Sequence, residues 1–277
     1  MKNTFKKNNS NILVNKTVTL KSKVPDTRTE RIAKAIARSG LCSRREAERW
    51  IISGQVKLNS KILTECGVNV TSKDIIEVNG KLLPNKVITK LWMYHKQRGY
   101  LVTNYDPEGR ATIFDQIQNK VETRFISVGR LDMDSEGLIL LTNDGDLARK
   151  LELPATGWLR KYRVRVHGYV IPKDLEPLKN GIVIDGIKYG RIDAALDRQQ
   201  GSNAWLTLSF REGKNREVRK VMNHLGYNVN RLIRVSFGPF NLKDLPSGEL
   251  REVKNRVLKD QLGLSKQKKL KQNKNRK

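Results

Sequence analysis

Apolar and polar positions follow two rhythms along this chain, one on each side of a short joint at Pro84-Asn85-Lys86. From Glu30 to Ser39 the apolar residues recur at helical spacing. Ile32, Ala33, Ile36 and Ala37 share one face, and Gly40 stops the run. Arg31, Lys34 and Arg38 fall on another face of the same helix. Ser43-Arg44-Arg45-Glu46 has the form of a capping box, which starts a second helix with an apolar stripe of Ala47, Trp50 and Ile51 and a stop at Gly54. Short alternating strands follow: Val56 and Leu58, a turn at Asn59-Ser60, Ile62, then Ile75 to Val78 with a turn at Asn79-Gly80.

Beyond the joint the pattern predicts strands at Lys90–Tyr94, Gly137–Leu141, Tyr162–Val166, Ile182–Ile184 and Trp205–Phe210. It predicts helices at Asp146–Leu153, Pro172–Lys179 and Asn215–Leu225. The order lacks a strand-helix-strand rhythm and predicts an α+β domain whose mixed sheet is mainly antiparallel. No run of about 18 apolar residues occurs, so no membrane span is expected.

Composition adds a partner. With 55 Lys+Arg against 28 Asp+Glu in 277 residues the net charge is +27, which points to a polyanion. The ends are the most basic parts. Residues 1–27 and 254–277 read as disordered basic tails, which leaves 28–85 and 89–253 as ordered units. The first 25 residues hold six lysines and no acid but no apolar core, so they do not read as a secretory signal. Two cysteines, Cys42 and Cys66, are too few for a disulfide framework and suit a reducing cytoplasm. His95, His167 and His224 are far apart, and no Cys/His spacing suggests zinc.

The candidate chemistry centres on Val128 to Gly145, where Arg130, Asp132, Asp134 and Glu136 precede the apolar run from Gly137 to Leu141. Asp-x-Asp-x-Glu-Gly matches the opening of a calcium loop, but its twelfth position would be Asn143 instead of a bidentate Glu. A metal-dependent nuclease would need a further acid–histidine cluster, and none is visible in the sequence. Asp134 and Glu136 read as acids that cap and solvate a turn. Asp132, between Leu131 and the buried run, is the candidate for chemistry. Asn143 or Asp144 is expected to cap the next helix.

A second basic segment runs from Arg211 to Met222. Asn215 is expected to cap a helix that turns Val218, Val221, Met222 and Leu225 inward. Arg216 and Lys220 then read as a solvated basic face. Arg219 borders the apolar stripe, needs a carboxylate partner, and is assigned Asp132.

The residues Ala37 to Arg49, followed by Gly54-Gln55-Val56-Lys57-Leu58-Asn59, resemble the αL RNA-binding domain first described in a small-subunit ribosomal protein, with Ser60 where a Gly is usual. The resemblance implies that Arg44, Arg45 and Arg49 face structured RNA; Lys34 and Arg38, on the basic face of the neighbouring helix, are expected to contact the RNA with them. The larger block resembles pseudouridine synthases of the RsuA/RluB family. The resemblance rests on Gly99 to Thr103 with Asp106 to Arg110, on Gly129 to Asp132 with Gly137 to Gly145, on Arg160 to Val166, on Glu212 to Arg219, and on Leu232 to Pro239. It implies that Asp132 is the catalytic aspartate and that Tyr162 packs on the target base. Arg219 would pair with the aspartate, Leu232 would line the pocket, and Arg130 would contact RNA around an extruded nucleotide. Asn215-Arg216, where the small-subunit member has Tyr-His, is similar to the large-subunit, RluB-like branch.

The implied reaction turns a uridine of ribosomal RNA into pseudouridine. The glycosidic C–N bond breaks, the base rotates, and a C–C bond forms to the same sugar. No group enters or leaves, so the resemblance implies no metal and no nucleotide or redox cofactor. A carboxylate could act as nucleophile or as base, and the sequence leaves both open. Ribosomal RNA is the expected partner, and nothing demands more than a monomer. A non-catalytic ribosome-assembly factor on the same scaffold remains the alternative.

Overall fold

A computed structural model describes residues 29–261, apart from 86 and 119. The tail readings for 1–27 and 262–277 lie outside the described residues.

The N-terminal unit begins with β1 (Glu30–Arg31), α1 (Ile32–Arg38) and α2 (Arg44–Ile52). It continues as short strands: β2 (Val56–Leu58), β3 (Lys61–Leu63), β4 (Asn69–Val70), β5 (Ile76–Val78) and β6 (Lys81–Leu82). Ile32, Ile36, Ala47, Ile51 and Val56 are fully buried together, as the helical spacing requires. The Ser43 hydroxyl accepts the Glu46 amide at 3.1 Å, so half of the expected capping box forms. The Glu46 carboxylate instead takes the Arg49 guanidinium. Asn59 and Ser60 both have positive φ (49° and 68°), the twist of a two-residue hairpin turn.

The larger unit is built on a mixed sheet. Its elements are β7 (Leu91–Lys96), α3 (Ile113–Ile117), β8 (Ile126–Val128), β9 (Glu136–Thr142) and α4 (Gly145–Glu152), then β10 (Arg160–His167), α5 (Pro172–Leu175), β11 (Ile182–Ile184) and β12 (Ile187–Tyr189). There follow β13 (Ile192–Gln200), β14 (Asn203–Phe210), α6 (Glu217–His224), β15 (Asn228–Phe237), β16 (Phe240–Asn241), β17 (Leu250–Glu252) and α7 (Asn255–Gln261). The strand order is β13-β14-β10-β15-β9-β7-β17, with β8 on β9 and β16 on β15. Its pairs are antiparallel except β9 with β15, which run parallel at the centre.

At that parallel contact only glycine fits. Gly137 has φ +104°, and a Cβ there would lie 2.3 Å from the Arg234 carbonyl oxygen. The close approach joins the two halves of the sheet directly beneath the loop that carries Asp132. One core packs around β10, β14 and α6. A second packs around β9, α4 and α7, and a third around β7 and α3.

Three sequence expectations are corrected. Residues 255–261 are not tail: they form α7, and Leu258, only 5% exposed, belongs to the core that includes Leu91, Leu140 and Leu147. The helix expected from Asn215 begins at Glu217, and its N-cap is Arg216 in the left-handed region (φ +50°), with no side-chain cap. The helix expected over 172–179 is α-helical only to Leu175 and then narrows to a 3₁₀ turn at Glu176–Asn180. For the helix after β9, Asp144 is the cap: its carboxylate accepts the Asp146 and Leu147 amides.

Candidate active site

The loop between β8 and β9 is held from below by a buried cation. Lys96 is fully buried, and its ammonium donates to the carbonyls of Gln97 (2.9 Å), Met133 (3.2 Å) and Ser135 (2.7 Å). Burial pulls its pKa down to about 8, against the opposing pull of Asp134, Asp132 and Glu136. The Gly99 amide binds the Met133 carbonyl at 2.8 Å, and the Ser135 amide binds that of Asp132 at 3.0 Å. Side chains on this loop therefore start from a fixed backbone.

Three acids leave the loop toward three different arginines. Asp132 Oδ2 lies 3.4 Å from Arg216 Nη1. Asp134 Oδ2 lies 3.0 Å from Arg219 Nη2, and its Oδ1 lies 3.6 Å from Arg216 Nη1. Glu136 takes Arg231 through two bonds of 2.8 and 2.9 Å. The assignment of Arg219 to Asp132 is thus corrected: Arg219 holds Asp134 by side chain and by carbonyl oxygen, and donates to the Val229 carbonyl at 2.9 Å. Arg216, expected to be a solvated residue, is the guanidinium that meets Asp132. Asp134 and Glu136 do not merely solvate a turn; they tie the loop to α6 and β15.

Asp132 faces a cleft of about 780 Å³. Arg130, Tyr162 and Leu232 line the same cleft, so the structure gathers the predicted site residues except Arg219, which supports the loop from behind. Tyr162 lies beside a register shift in the β10–β15 ladder, where a bulge re-aims a side chain. Its ring meets Phe210 edge-on with centroids 6.0 Å apart, which leaves it half-buried on the cleft floor. Leu232 is buried opposite Val164. Arg234, fully buried under Tyr162, donates to the Leu138 carbonyl at 2.7 Å and stacks on Phe237.

Lys34, Arg38, Arg44, Arg45 and Arg49 converge on a second cleft of about 730 Å³, between the N-terminal helices and the start of α4. Four of them also meet acids of the protein: Lys34 binds Asp146 at 2.9 Å, Arg44 lies 4.0 Å from the same carboxylate, Arg38 pairs with Glu30, and Arg49 with Glu46.

Comparison with known proteins agrees with this geometry. Residues 90–224 match the model for RNA pseudouridylate synthases, and residues 30–76 match the S4 domain. An RNA pseudouridine synthase of Rickettsia prowazekii is 42% identical over 235 residues, covering 84% of this chain and 97% of the relative. The chain belongs to the RsuA/RluB family of RNA pseudouridine synthases. A ribosomal large subunit pseudouridine synthase B of Pseudomonas aeruginosa is 39% identical over 245 residues, 85% of this chain and 63% of the relative. A solved pseudouridylate synthase is 26% identical with a TM-score of 0.59, covering 83% of this chain and 99% of the other. Within this family of synthases the S4 unit and the catalytic fold follow one another here as the sequence predicts.

Lys96, Arg216 and Arg234 are site residues that the sequence patterns do not single out. A signal for Lys96 exists: in Leu91–Lys96, Tyr94 and Lys96 share the inward face, so strict alternation puts a lysine in the core. Arg216 gives no such signal, because it sits outside the helix whose period would place it.

Proposed function

We propose that this synthase isomerises a uridine of ribosomal RNA, in the large subunit, with Asp132 as the carboxylate that acts at the ribose. The large-subunit substrate is supported by similarity to enzymes carrying that name. The observation that carries the role of Asp132 is its place beside Arg216 on a cleft that Tyr162 also lines. A uridine stacked in RNA cannot present its glycosidic bond to a side chain, so the target nucleotide leaves its stack and enters the cleft. Tyr162 offers an aromatic face to the extruded base, and Leu232 an apolar wall. Arg130 at the rim meets the flanking backbone. Arg216 sets a guanidinium 3.4 Å from the Asp132 carboxylate, the group that would act as nucleophile or base.

Affinity in this reading comes from the S4 unit and the basic surface, and chemistry from the second unit. No helix among the described residues is long and apolar enough to cross a membrane. The protein is proposed to act as a cytoplasmic monomer. The test is to map pseudouridine across the ribosomal RNA of cells with and without the gene. Loss of one or more large-subunit pseudouridines, restored by the wild-type gene but not by Asp132→Asn, is expected. An unchanged map would contradict the proposal.

A further inference from the structure

The two clefts share one wall. Thr103 and Tyr105, on the segment between β7 and α3, line both the cleft of Asp132 and the basic cleft beside the S4 helices. Tyr105 is 78% exposed, the most exposed aromatic ring among the described large hydrophobic residues. Exposure alone does not set it apart, since Tyr169 is 73% exposed; its place on the wall of both clefts does. The loop beneath it is tied by its own hydrogen bonds. The Thr103 hydroxyl donates to the Tyr105 carbonyl at 2.7 Å and accepts its amide at 3.3 Å. Asp106 accepts the Arg110 amide at 2.8 Å and its guanidinium at 2.8 and 3.1 Å. The ring is thus presented to solvent by an ordered loop, which lowers the entropic cost of using it.

The charge beyond it is mainly positive. Arg38, Arg44, Arg45 and Arg49 from the S4 helices meet Arg124 and Arg149 of the synthase unit in the second cleft. The acids there are two, Asp144 and Asp146; the first caps α4, and the second holds Lys34 at 2.9 Å and lies 4.0 Å from Arg44. An arginine-lined groove that ends at an exposed ring combines the two features a single-stranded nucleic acid needs, cations for phosphates and a face for a base.

Resting on the proposed reading of the Asp132 cleft, we propose that Tyr105 is a second stacking platform. The RNA strand crosses the 103–105 ridge, with the target uridine on the Asp132 side and its neighbours in the arginine-lined cleft. One flanking base lies on the Tyr105 ring. Tyr162 would then receive the base that reacts and Tyr105 a base that does not, fixing which nucleotide along the strand enters the site.

The test compares full-length wild type with Tyr105→Ala, Tyr105→Phe and Tyr105→Trp, all at an exposed position where folding is not at stake. Two probes are used: large-subunit ribosomal RNA transcribed in vitro, and a short oligouridylate carrying one 2-aminopurine, whose fluorescence reports stacking. Tyr105→Ala is expected to weaken binding about ten-fold and to abolish the 2-aminopurine signal, whereas Phe and Trp keep both within about two-fold. Binding by Tyr105→Ala within about two-fold of wild type, or an equal loss in Tyr105→Phe, overturns the inference. If wild type forms pseudouridine while Tyr105→Ala binds normally, this inference alone fails. If wild type forms none, the reading of the Asp132 cleft fails and takes this one with it.

Discussion

Arg216 Nη1 stands 3.4 Å from Asp132 Oδ2, and it does so from a left-handed backbone position (φ +50°) just ahead of α6. A non-glycine residue in that region carries a strain of about 1–3 kcal/mol. The ion pair is too exposed to offset this, since pairs of that kind contribute only about 0.2–1 kcal/mol. The arrangement thus sets one guanidinium beside both Asp132 and Asp134 at a net local cost in stability.

Replacing Arg216 separates these two effects. Arg216→Gly removes the strain and the charge together. Its thermal midpoint is expected to equal or exceed that of wild type, while pseudouridine formation falls at least about ten-fold. Arg216→Lys should recover part of the rate. A Gly variant of full activity, compared by single-turnover assays, would remove Arg216 from the site.

Gly137 is the point where β9 crosses β15. In Gly137→Ala the added Cβ would meet the Arg234 carbonyl oxygen at 2.3 Å and its amide nitrogen at 2.6 Å, both rigid backbone atoms. A loss of about 3 kcal/mol or more is expected in urea unfolding, at the upper end of single substitutions. A loss below about 1 kcal/mol would mean that the two strands part easily.

Much of this site is legible in the sequence, and the misses have physical causes. Asp132, Arg130 and Tyr162 stand in local motifs, so their grouping on one cleft could be anticipated. The long strand β15 cannot be read from alternation: of its inward residues Leu232, Arg234 and Ser236, two are polar and yet buried. The buried arginine hides the period. β13 is an edge strand with mostly exposed side chains, and it offers almost no apolar rhythm. Helical spacing begun two residues too early misplaces Arg216. Outside the helix, direction is set by the backbone turn, not by the 3.6-residue period.

Glu217 gives stability a pH dependence. Its carboxyl is buried, and burial together with the nearby Glu212 pushes its pKa up from 4.5 to about 7. Between pH about 4.5 and about 7 the folded state holds a proton that the unfolded state has lost. The contribution is full below 4.5 and is lost as pH rises through 7. Glu212 shifts the opposite way, below 4.5, so its effect falls in a lower window. Stability should decline across pH 5–7 in wild type by more than in Glu217→Gln. Parallel pH profiles in chemical denaturation would refute the assignment.

The S4 helices make a separable prediction. Arg44 and Arg45 are exposed at the start of α2, so Arg44→Glu with Arg45→Glu should leave the unfolding midpoint nearly unchanged. RNA affinity should fall, and so should the slope of log affinity against log salt, by about 0.7–0.9 for each phosphate no longer neutralised. Filter binding at several salt concentrations decides it; an unchanged slope would move the RNA elsewhere on the surface.

Forming the new bond at uracil C5 expels the hydrogen there, so RNA carrying tritium at C5 releases it to water once for each uridine converted. Wild-type protein is predicted to release tritium from large-subunit ribosomal RNA, and Asp132→Asn to release none while binding the same RNA with similar affinity. Tritium release by Asp132→Asn at the wild-type rate would contradict the central role given to this carboxylate.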